Sequence, residues 1–337
     1  MVVRQENFDL TAHNTFRMKV KCALWVEYDK ASDLMEMDFD SFPKPVFHIG
    51  GGSNLLFTED FPGTVLHSKI NYIKYADLGL PDVPVMVGAG VCFDDFVANT
   101  CSYGLWGAEN LSLIPGEVGA AAVQNIGAYG AEVCDIISGV VCYDTLERKK
   151  CTFKVSECRY GYRDSMFKDP ELKGRYIVTS VLFRLSRTPA PRLEYKGLKE
   201  LFEGKSSPSP QEIRDAVIGI RKAKLPDPAQ IGSAGSFFKN PVVTAAHFAQ
   251  IAQGYDFVPH FVLDNGFVKV PAAWMIEQCG FKGASYGGAS VYEKQPLVIV
   301  NTNSEATPEE VMALETQIVT AVLERFGVDL HPEVEHI

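Results

Sequence analysis

The stretch from Ile114 to Glu132 constrains this chain more than any other part of the sequence. Its 19 residues include four glycines, five alanines and few charged side chains. A segment with so little side-chain volume fills a core poorly, but it lets the backbone approach a bulky group closely. Pro115-Gly116 and Gly127 to Gly130 mark turns within it. We therefore expect this glycine-rich block to lie against a large ligand.

A second glycine-rich turn, Gly50 to Asn54, follows the apolar run Pro45 to Ile49. Two such turns predict a large phosphate-bearing cofactor held by main-chain N–H groups, and the simpler alternative is that both turns are structural. Neither turn fits the Rossmann pattern, which opens a helix, because Leu55 to Phe57 predict further strand. No Walker A lysine follows either turn. The sequence therefore predicts a phosphate-binding fold of another kind.

Eight sequence blocks resemble, in the same order, the UDP-N-acetylenolpyruvoylglucosamine reductase (MurB) family. The blocks are Asn14-Thr15-Phe16, GGGSNLLF from Gly50, ENLSLIPGEVGAAAVQNIGAYGAE from Glu109, CRYGYRDSMFK from Cys158, KLPDP from Lys224, GSAGSFFKNP from Gly232, AAWMIEQCGFKG from Ala272 and HPEV from His331. The resemblance implies an α+β protein with a non-Rossmann, FAD-binding fold of the vanillyl-alcohol oxidase type in two subdomains. A C-terminal α+β substrate domain would follow.

The length of 337 residues is typical of about two domains, or three small ones. With the resemblance, it predicts one FAD-binding subdomain over 1–70, a second over 71–225 and a substrate domain over 226–326. The tail 327–337 would return to the first subdomain.

The formal net charge of −10 argues against nucleic acid or an anionic membrane as a partner, although a local basic cluster can still bind a small anion. The N-terminal residues do not resemble a signal peptide, and no apolar run approaches a membrane span of ~18 residues. We therefore expect a cytoplasmic protein. The expected oligomeric state is a monomer. The eight cysteines form no C-x-x-C pair, which predicts reduced, buried thiols, and the seven histidines lack metal-ligand spacing.

Apolar periodicity predicts strands and helices in mixed order rather than a regular βαβ array. The predicted strands are Ala23 to Tyr28, Val46 to Ile49, Asn54 to Phe57, Val140 to Tyr143, Tyr176 to Phe183 and Leu297 to Val300, and the run Val83 to Gly90 starts a second region. The predicted helices are Asp33 to Met37, Phe93 to Tyr103, Pro210 to Lys222, Val243 to Gln253, Ala272 to Cys279 and Pro308 to Phe326, the last with an apolar stripe of Val311, Leu314, Ile318, Val322 and Leu323. Residues 186–210 predict a loop-rich insertion, and residues 224–240 an irregular segment.

Three residues are candidates for catalysis. Arg159 offers paired guanidinium donors for a carboxylate or a developing enolate. Ser236, after flexible glycines and before two phenylalanines, places a hydroxyl where it can donate a proton. Glu333 is a carboxylate in a Pro-Glu-Val motif. Taken alone, each is more often a turn arginine, a loop hydroxyl or a solvated charge, and it is the resemblance that assigns Arg159 and Glu333 to the active site and makes Ser236 the proton donor.

The resemblance also implies the ligand contacts. Lys224 and Asn240 would contact the substrate diphosphate, and Tyr195 would lie on a mobile loop of the longer family type that closes over the substrate. FAD would be bound non-covalently by Gly50, Gly51, Gly52, Ser53, Asn54, Leu55, Ile114, Pro115, Gly116, Gly119, Asn125, Gly127, Ala128 and Tyr129. The chain departs from the family at His331, where glutamate is common.

The implied reaction has two hydride transfers, from NADPH to FAD and from reduced FAD to the vinyl carbon of UDP-N-acetylglucosamine enolpyruvate. No second dinucleotide motif is present, which fits NADPH and the sugar nucleotide binding in turn. Two alternatives remain open from the residues. One is an alcohol oxidase of the same superfamily, in which His48 would be the nearest candidate for a covalent flavin link. The other is a non-catalytic flavoprotein or nucleotide-sugar-binding protein.

Overall fold

The computed structural model of the chain describes residues 1–204 and 207–337, so positions 205 and 206 of the predicted loop-rich insertion lie outside the described residues. The strands are short and mostly antiparallel. They are β1 (Val2–Asp9), β2 (Lys21–Tyr28), β3 (Val46–Ile49), β4 (Leu55–Leu56), β5 (Phe61–Ser68), β6 (Ile73–Tyr75), β7 (Asp82–Gly88), β8 (Gly127–Ala128), β9 (Ala131–Glu132), β10 (Ile137–Asp144), β11 (Lys149–Lys154), β12 (Tyr176–Ser186), β13 (Gly232–Ser236), β14 (Val242–Val243), β15 (Phe261–Val262), β16 (Val268–Lys269), β17 (Ser285–Tyr286), β18 (Ala289–Val291), β19 (Val298–Asn301) and β20 (Glu335–His336).

The α-helices are distributed among these strands rather than alternating with them. They are α1 (Ala31–Glu36), α2 (Phe93–Ser102), α3 (Val118–Gln124), α4 (Lys196–Leu201), α5 (Pro210–Lys224), α6 (Ala245–Ile251), α7 (Ala272–Gln278) and α8 (Pro308–Phe326). This mixed order confirms the predicted α+β class.

The chain divides into two compact units. Unit 1 comprises 1–8, 21–51 and 61–223, and unit 2 comprises 9–20, 52–60 and 224–337. In unit 1 a four-stranded sheet has the order β1-β2-β5-β3, with β5 parallel to both β2 and β3. A five-stranded antiparallel sheet has the order β11-β10-β12-β7-β6. Its apolar face, α2 and α3 share one buried core.

Unit 2 contains a four-stranded sheet of order β13-β19-β18-β17 and a three-stranded sheet of order β14-β16-β15. Helix α8 begins with a capping box, in which the Thr307 hydroxyl accepts from the Glu310 N–H and Glu310 bonds back to the Thr307 backbone. It ends at Gly327, which adopts the left-handed conformation. The pairing of β20 with β4 is parallel and brings the segment after Leu330 beside Leu55 and Leu56.

Four sequence predictions on secondary structure and burial are wrong in part. Residues 224–240 contain strand β13, because its pairing with β19 overrides the weak strand preference of glycine and serine. The glycine-rich block contains helix α3, whose alanines are small enough to pack closely in the core. The predicted insertion contains α4. In α8, Leu323 is 48% exposed, and Phe326 completes the buried stripe.

The prediction that the cysteine thiols are buried is wrong in part. All eight cysteines are free, but Cys92 is exposed and Cys134, Cys151 and Cys279 are partly exposed. Among the described residues, no helix combines the length and the apolar character that crossing a membrane requires.

A buried ion pair joins α2 to α5 within unit 1. Arg214 holds Asp94 with two parallel hydrogen bonds, one of which joins Nη2 to Oδ2 at 2.9 Å. Asp94 also accepts from the N–H of Leu113, whose backbone has a φ of +59°. Burial would raise the pKa of Asp94, but Arg214 and the Leu113 N–H outweigh it and lower the pKa. The pair therefore supports the turn that leads into Ile114.

We expect Arg214→Met to destabilise the fold by about 2–3 kcal/mol, because it leaves the Asp94 carboxylate short of a partner. Since the pKa of Asp94 is lowered by folding, its contribution is present above the unfolded pKa and is lost as pH falls through the folded value. Urea unfolding at several pH values measures both effects. Arg148→Met is the matched control, because its partner Asp40 is exposed and the change should cost less than ~0.5 kcal/mol. Equal losses in both variants would contradict the prediction.

Candidate active site

Gly50 and Gly51, which begin the first predicted glycine turn, lie beside the second turn in unit 1. A Cβ added at Gly50 would lie 2.9 Å from the Cβ of Ala120, and one at Gly51 would lie 3.3 Å from the Cα of Gly116. Gly119 is packed equally tightly against Ala89. The close approach therefore requires glycine, and the structure brings together two segments that are more than 60 positions apart in sequence.

The remainder of the first turn is held within unit 2. Gly52 has a φ of +61°, and a Cβ there would lie 2.1 Å from the carbonyl oxygen of His13. The N–H of Thr15 donates to the Gly52 carbonyl at 3.1 Å. The side-chain amide of Asn54 donates to the carbonyl of Glu333 at 3.0 Å. Ser53 lies between these two anchored residues, and Leu55 is buried in β4.

The second half of the glycine-rich block is a short hairpin of β8 and β9. Asn125 ends α3 in the left-handed conformation and donates from its side chain to the Gly161 carbonyl at 2.8 Å. The guanidinium of Arg163 donates to the Gly127 carbonyl at 2.6 Å. Arg163 was not predicted from the sequence. Its only signal was its position four residues after Arg159 in the same block.

Buried polar atoms near this block have no hydrogen-bond partner within the described part of the chain. They include Oδ1 of Asn110, Nε2 of Gln124 and Nε of Arg221. Buried polar atoms are normally satisfied, so these atoms are suited to a ligand that carries many polar groups. Together with the glycine contacts, they fit a large nucleotide cofactor.

Arg159 lies at the start of the CRYGYRDSMFK block in unit 1. Its backbone φ is +48°, and its side chain is 58% exposed. Nη2 donates to Oδ2 of Asp169 at 2.8 Å, and this hydrogen bond lowers the pKa of Asp169. Asp169 was not predicted from the sequence. A carboxylate on one side of the guanidinium orients it while leaving its other donors for a ligand.

Ser236 and Glu333 belong to adjacent segments of unit 2, although 97 positions separate them. The N–H of Glu333 donates to the carbonyl of Phe237 at 2.8 Å. Phe238 pairs with Pro332, and the N–H of Lys239 donates to the His331 carbonyl. The structure thus places the Pro-Glu-Val motif along the segment that follows Ser236.

An irregularity in the pairing of β13 with β19 sets the direction of the Ser236 side chain. In β13, Ser233 pairs with Val300 and Ser236 pairs with Val298, so three steps on β13 correspond to two on β19. Gly235, within the irregularity, has a φ of +74°. Bulges of this kind rotate the following side chain relative to the regular pleat. Glycine is therefore required next to Ser236 for a conformational reason.

The three predicted substrate residues have different surroundings. Tyr195 precedes α4, is 39% exposed, and packs edge-on against Tyr129 with ring centroids 4.9 Å apart. Lys224 ends α5 and is exposed. Asn240 uses its side-chain oxygen to accept from the N–H of Ala272 at the start of α7. That contact gives Asn240 a structural role which was not predicted from the sequence.

Comparisons with known proteins agree with this geometry. Residues 227–337 match the family described as UDP-N-acetylenolpyruvoylglucosamine reductase, C-terminal domain, and residues 39–146 match FAD binding domain. A reductase of that name from Bacteroides fragilis is 44% identical over 334 residues, covering 99% of this chain and all of the relative. Another from Porphyromonas gingivalis is 44% identical over 340 residues and covers both chains fully.

The chain belongs to the UDP-N-acetylenolpyruvoylglucosamine reductase family. This membership confirms the resemblance and the prediction of a flavin-dependent oxidoreductase, and it sets aside the oxidase and the non-catalytic protein. The crystal structure of the reductase from Thermus caldophilus has the same fold, with a TM-score of 0.68 at 23% identity over 100% of this chain and 98% of that one. The FAD-binding match includes both glycine turns and confirms FAD as the cofactor. The roles of individual residues stay predictions.

His48, the candidate for a covalent flavin link in an oxidase, has its side chain hydrogen-bonded within the sheet. His48 lies in β3, and its Nε2 is 2.7 Å from the hydroxyl of Tyr28. Loss of hydration, and then the nearby His67, lower the pKa of His48, so the ring is neutral.

Proposed function

We propose that this chain reduces UDP-N-acetylglucosamine enolpyruvate to UDP-N-acetylmuramate with NADPH in peptidoglycan precursor synthesis, and that Arg159, Ser236 and Glu333 carry the chemistry. Family membership over the whole chain supports the reaction. The assignment of Ser236 and Glu333 is supported by the hydrogen bond from the Glu333 N–H to the carbonyl of Phe237, the residue after Ser236.

FAD would be held by the two glycine turns. Gly50, Gly51, Gly116 and Gly119 remove side-chain volume at the closest approach, and main-chain N–H groups would bind the diphosphate. When bound, FAD supplies the redox chemistry by accepting hydride from NADPH and delivering it to the substrate. The orphaned side-chain atoms of Asn110, Gln124 and Arg221 would find partners on the ligands.

Arg159, Glu333 and Ser236 would stabilise the charge that develops on the substrate and supply its proton. Once hydride reaches the vinyl carbon, electron density develops on the neighbouring carbon and its carboxylate. The positive charge of Arg159 would stabilise that enolate, and Glu333 would order the groups around it. Ser236 would donate its hydroxyl proton to the carbon, form the new C–H bond, and recover a proton from solvent.

Lys224 and Asn240 would contact the diphosphate of the sugar nucleotide. Lys224 offers an exposed ammonium group. The Asn240 side chain is fixed through its oxygen by Ala272, which leaves its amide group as the donor toward a phosphate. The side-chain oxygen of Asn240 would therefore have a structural role, and its nitrogen a role in binding.

We expect Tyr195→Phe to weaken binding of the sugar nucleotide about tenfold while flavin reduction by NADPH stays close to wild type. The change keeps the ring contact with Tyr129 and removes only the hydroxyl, whose hydrogen bond to a ligand is worth ~1–2 kcal/mol. Titration of the sugar nucleotide and stopped-flow reduction measure the two effects. Tyr103→Phe, another exposed tyrosine of unit 1, is the control. Equal damage to both half-reactions would make Tyr195 structural.

The predicted three-part division, 1–70, 71–225 and 226–326 with the tail 327–337, also stays a proposal. The separate family matches at 39–146 and 227–337 support the boundary between residues 225 and 226. We propose in addition that the protein is a cytoplasmic monomer, in keeping with its NADPH and nucleotide-sugar substrates. Light scattering on the purified protein tests the oligomeric state, and cell fractionation tests the location.

An absorbance experiment tests the function as a whole. The purified protein should show a flavin spectrum that bleaches on anaerobic addition of NADPH and returns on addition of UDP-N-acetylglucosamine enolpyruvate. The expected product is UDP-N-acetylmuramate in one equivalent per flavin in a single turnover. Bleaching without return would contradict the proposed substrate.

A further inference from the structure

A buried histidine with carboxylates on both ring nitrogens lies beneath the glycine turns. His67 is 7% exposed, near the end of β5. Nδ1 lies 2.9 Å from Oε1 of Glu27, and Nε2 lies 2.9 Å from Oε1 of Glu117. A neutral imidazole has only one N–H, so only the imidazolium can donate to both carboxylates. The two carboxylate contacts therefore favour the protonated, positively charged form of His67.

The two carboxylates belong to different elements. Glu27 is the direct partner of His67 in the pairing of β2 with β5, and Ile49 of β3 is its partner on the other side. Glu117 immediately precedes α3, next to Gly116. A Cβ at Gly50 would lie 3.4 Å from Oε2 of Glu117. His67 thus connects the central strand of the sheet to the point where the two glycine turns meet.

We propose that the doubly hydrogen-bonded His67 is a positioning residue for FAD, because it sets the position of the second glycine turn relative to the first through Glu117. This proposal rests on the proposed function and assigns a task to a residue outside the predicted site. The His67 ring is buried between Glu27 and Glu117. It acts by holding Glu117, whose side chain is drawn toward the sheet instead of capping α3.

The groups around His67 determine whether its pKa is raised or lowered in the folded protein. Burial alone would lower the pKa of His67, but the hydrogen bonds and charges of Glu117 and Glu27 outweigh burial and raise it. Lys69 lies 3.8 Å from Glu27, and the Trp25 ring packs against the imidazole with centroids 5.3 Å apart. The nearby titratable groups on β2 and β3, Tyr28 and His48, are neutral at ordinary pH, because loss of hydration raises the pKa of Tyr28 and lowers that of His48.

A group whose pKa is raised in the folded state contributes at low pH and loses its contribution as pH rises through that pKa. Deprotonated His67 has one N–H and can donate to only one of the two glutamates, so it holds Glu117 less firmly, and we expect FAD to bind more weakly as pH rises. The holoenzyme is diluted at a series of pH values from about 6 to about 9, which brackets a histidine pKa above ~6.5, and bound flavin is measured by fluorescence anisotropy. The dissociation constant should increase on the order of tenfold over this range, as a coupling of ordinary size predicts.

The two glutamates provide a matched pair of variants. Glu27→Gln and Glu117→Gln make the same change at the same 2.9 Å distance from one imidazole, but only Glu117 belongs to the glycine segment. Glu117→Gln should weaken FAD binding about tenfold at the lower pH. Glu27→Gln should leave the low-pH affinity within about threefold and shift the loss of affinity to lower pH. Equal weakening by the two changes would overturn the proposal.

His67→Gln completes the test. It should bind FAD at the lower pH as weakly as wild type does at the higher pH, with no further pH dependence. If this variant fails to fold, the wild-type profile and the glutamate pair still decide. A wild-type affinity that is independent of pH overturns the role of His67 and leaves the reductase function intact. A wild-type protein that binds no FAD at any pH would contradict the proposed function itself.

Discussion

Replacing Ser236 with alanine should slow reoxidation of the reduced flavin by the enolpyruvyl substrate on the order of 10²–10⁴-fold, the range usual for a lost general acid. The same variant should be reduced by NADPH at nearly the wild-type rate, because no substrate carbon needs a proton in that half-reaction. Binding of the sugar nucleotide should change little, since the hydroxyl acts mainly in the transition state. Stopped-flow absorbance separates the two half-reactions.

Two further serine variants sharpen this result. Ser236→Cys should recover part of the rate, because a thiol of similar reach is the stronger acid. Ser233→Ala, a buried serine of the same strand, should leave both half-reactions close to wild type. If Ser236→Ala is reoxidised at the wild-type rate, then the proton comes from another group, and Glu333 on the adjacent segment becomes the better candidate.

Replacing Gly51 with valine should remove the flavin. A Cβ at this position would lie 3.3 Å from the Cα of Gly116, and the two further methyl groups of valine would force the turns apart. Because both turns are predicted to bind the diphosphate, we expect at least about 100-fold weaker FAD binding and a colourless protein as purified.

The matched control for this change is Gly219→Val in α5, where an added Cβ meets nothing within 4 Å. That variant should keep its flavin and its stability, because valine has a slightly better helix propensity than glycine and an added Cβ at this exposed position meets no neighbour. Flavin content is measured from the absorbance ratio, and folding from circular dichroism. A yellow Gly51→Val protein with normal affinity would contradict the assignment of this turn to FAD.

Elements with strong local signals could be predicted from the sequence. Pro308 to Phe326 was predicted with its bounds, because threonine, proline and two glutamates define its start and a glycine follows its end. The opposite case is β13, whose glycines and serines have no strand preference and which forms only because β19 is available. Strand β1 was missed for a related reason: its side chains are almost all exposed, so no apolar alternation marks it.

Some features of the candidate site could be predicted from the sequence, and others could not. The glycine turns could be found from composition, because their chemistry is local. The neighbourhood of Ser236 and Glu333 could not, since no spacing rule relates residues 97 positions apart. Asp169 and Arg163 were missed because a charged side chain in a polar stretch has no distinctive sequence signal. The role proposed for His67 depends on Glu27 and Glu117 meeting one ring, which only the folded structure reveals.

The anchoring of Asn54 has a consequence for how this protein is made. The carbonyl that Asn54 binds belongs to Glu333, 279 positions later in the chain, and the β4 segment that follows Asn54 pairs with β20. Synthesis proceeds from the N-terminus, so residues 52–56 leave the ribosome long before their partners exist. Contacts of such high sequence separation form late and slowly. A nascent chain can therefore complete its first glycine turn, and become competent to hold flavin, only after translation has passed residue 336.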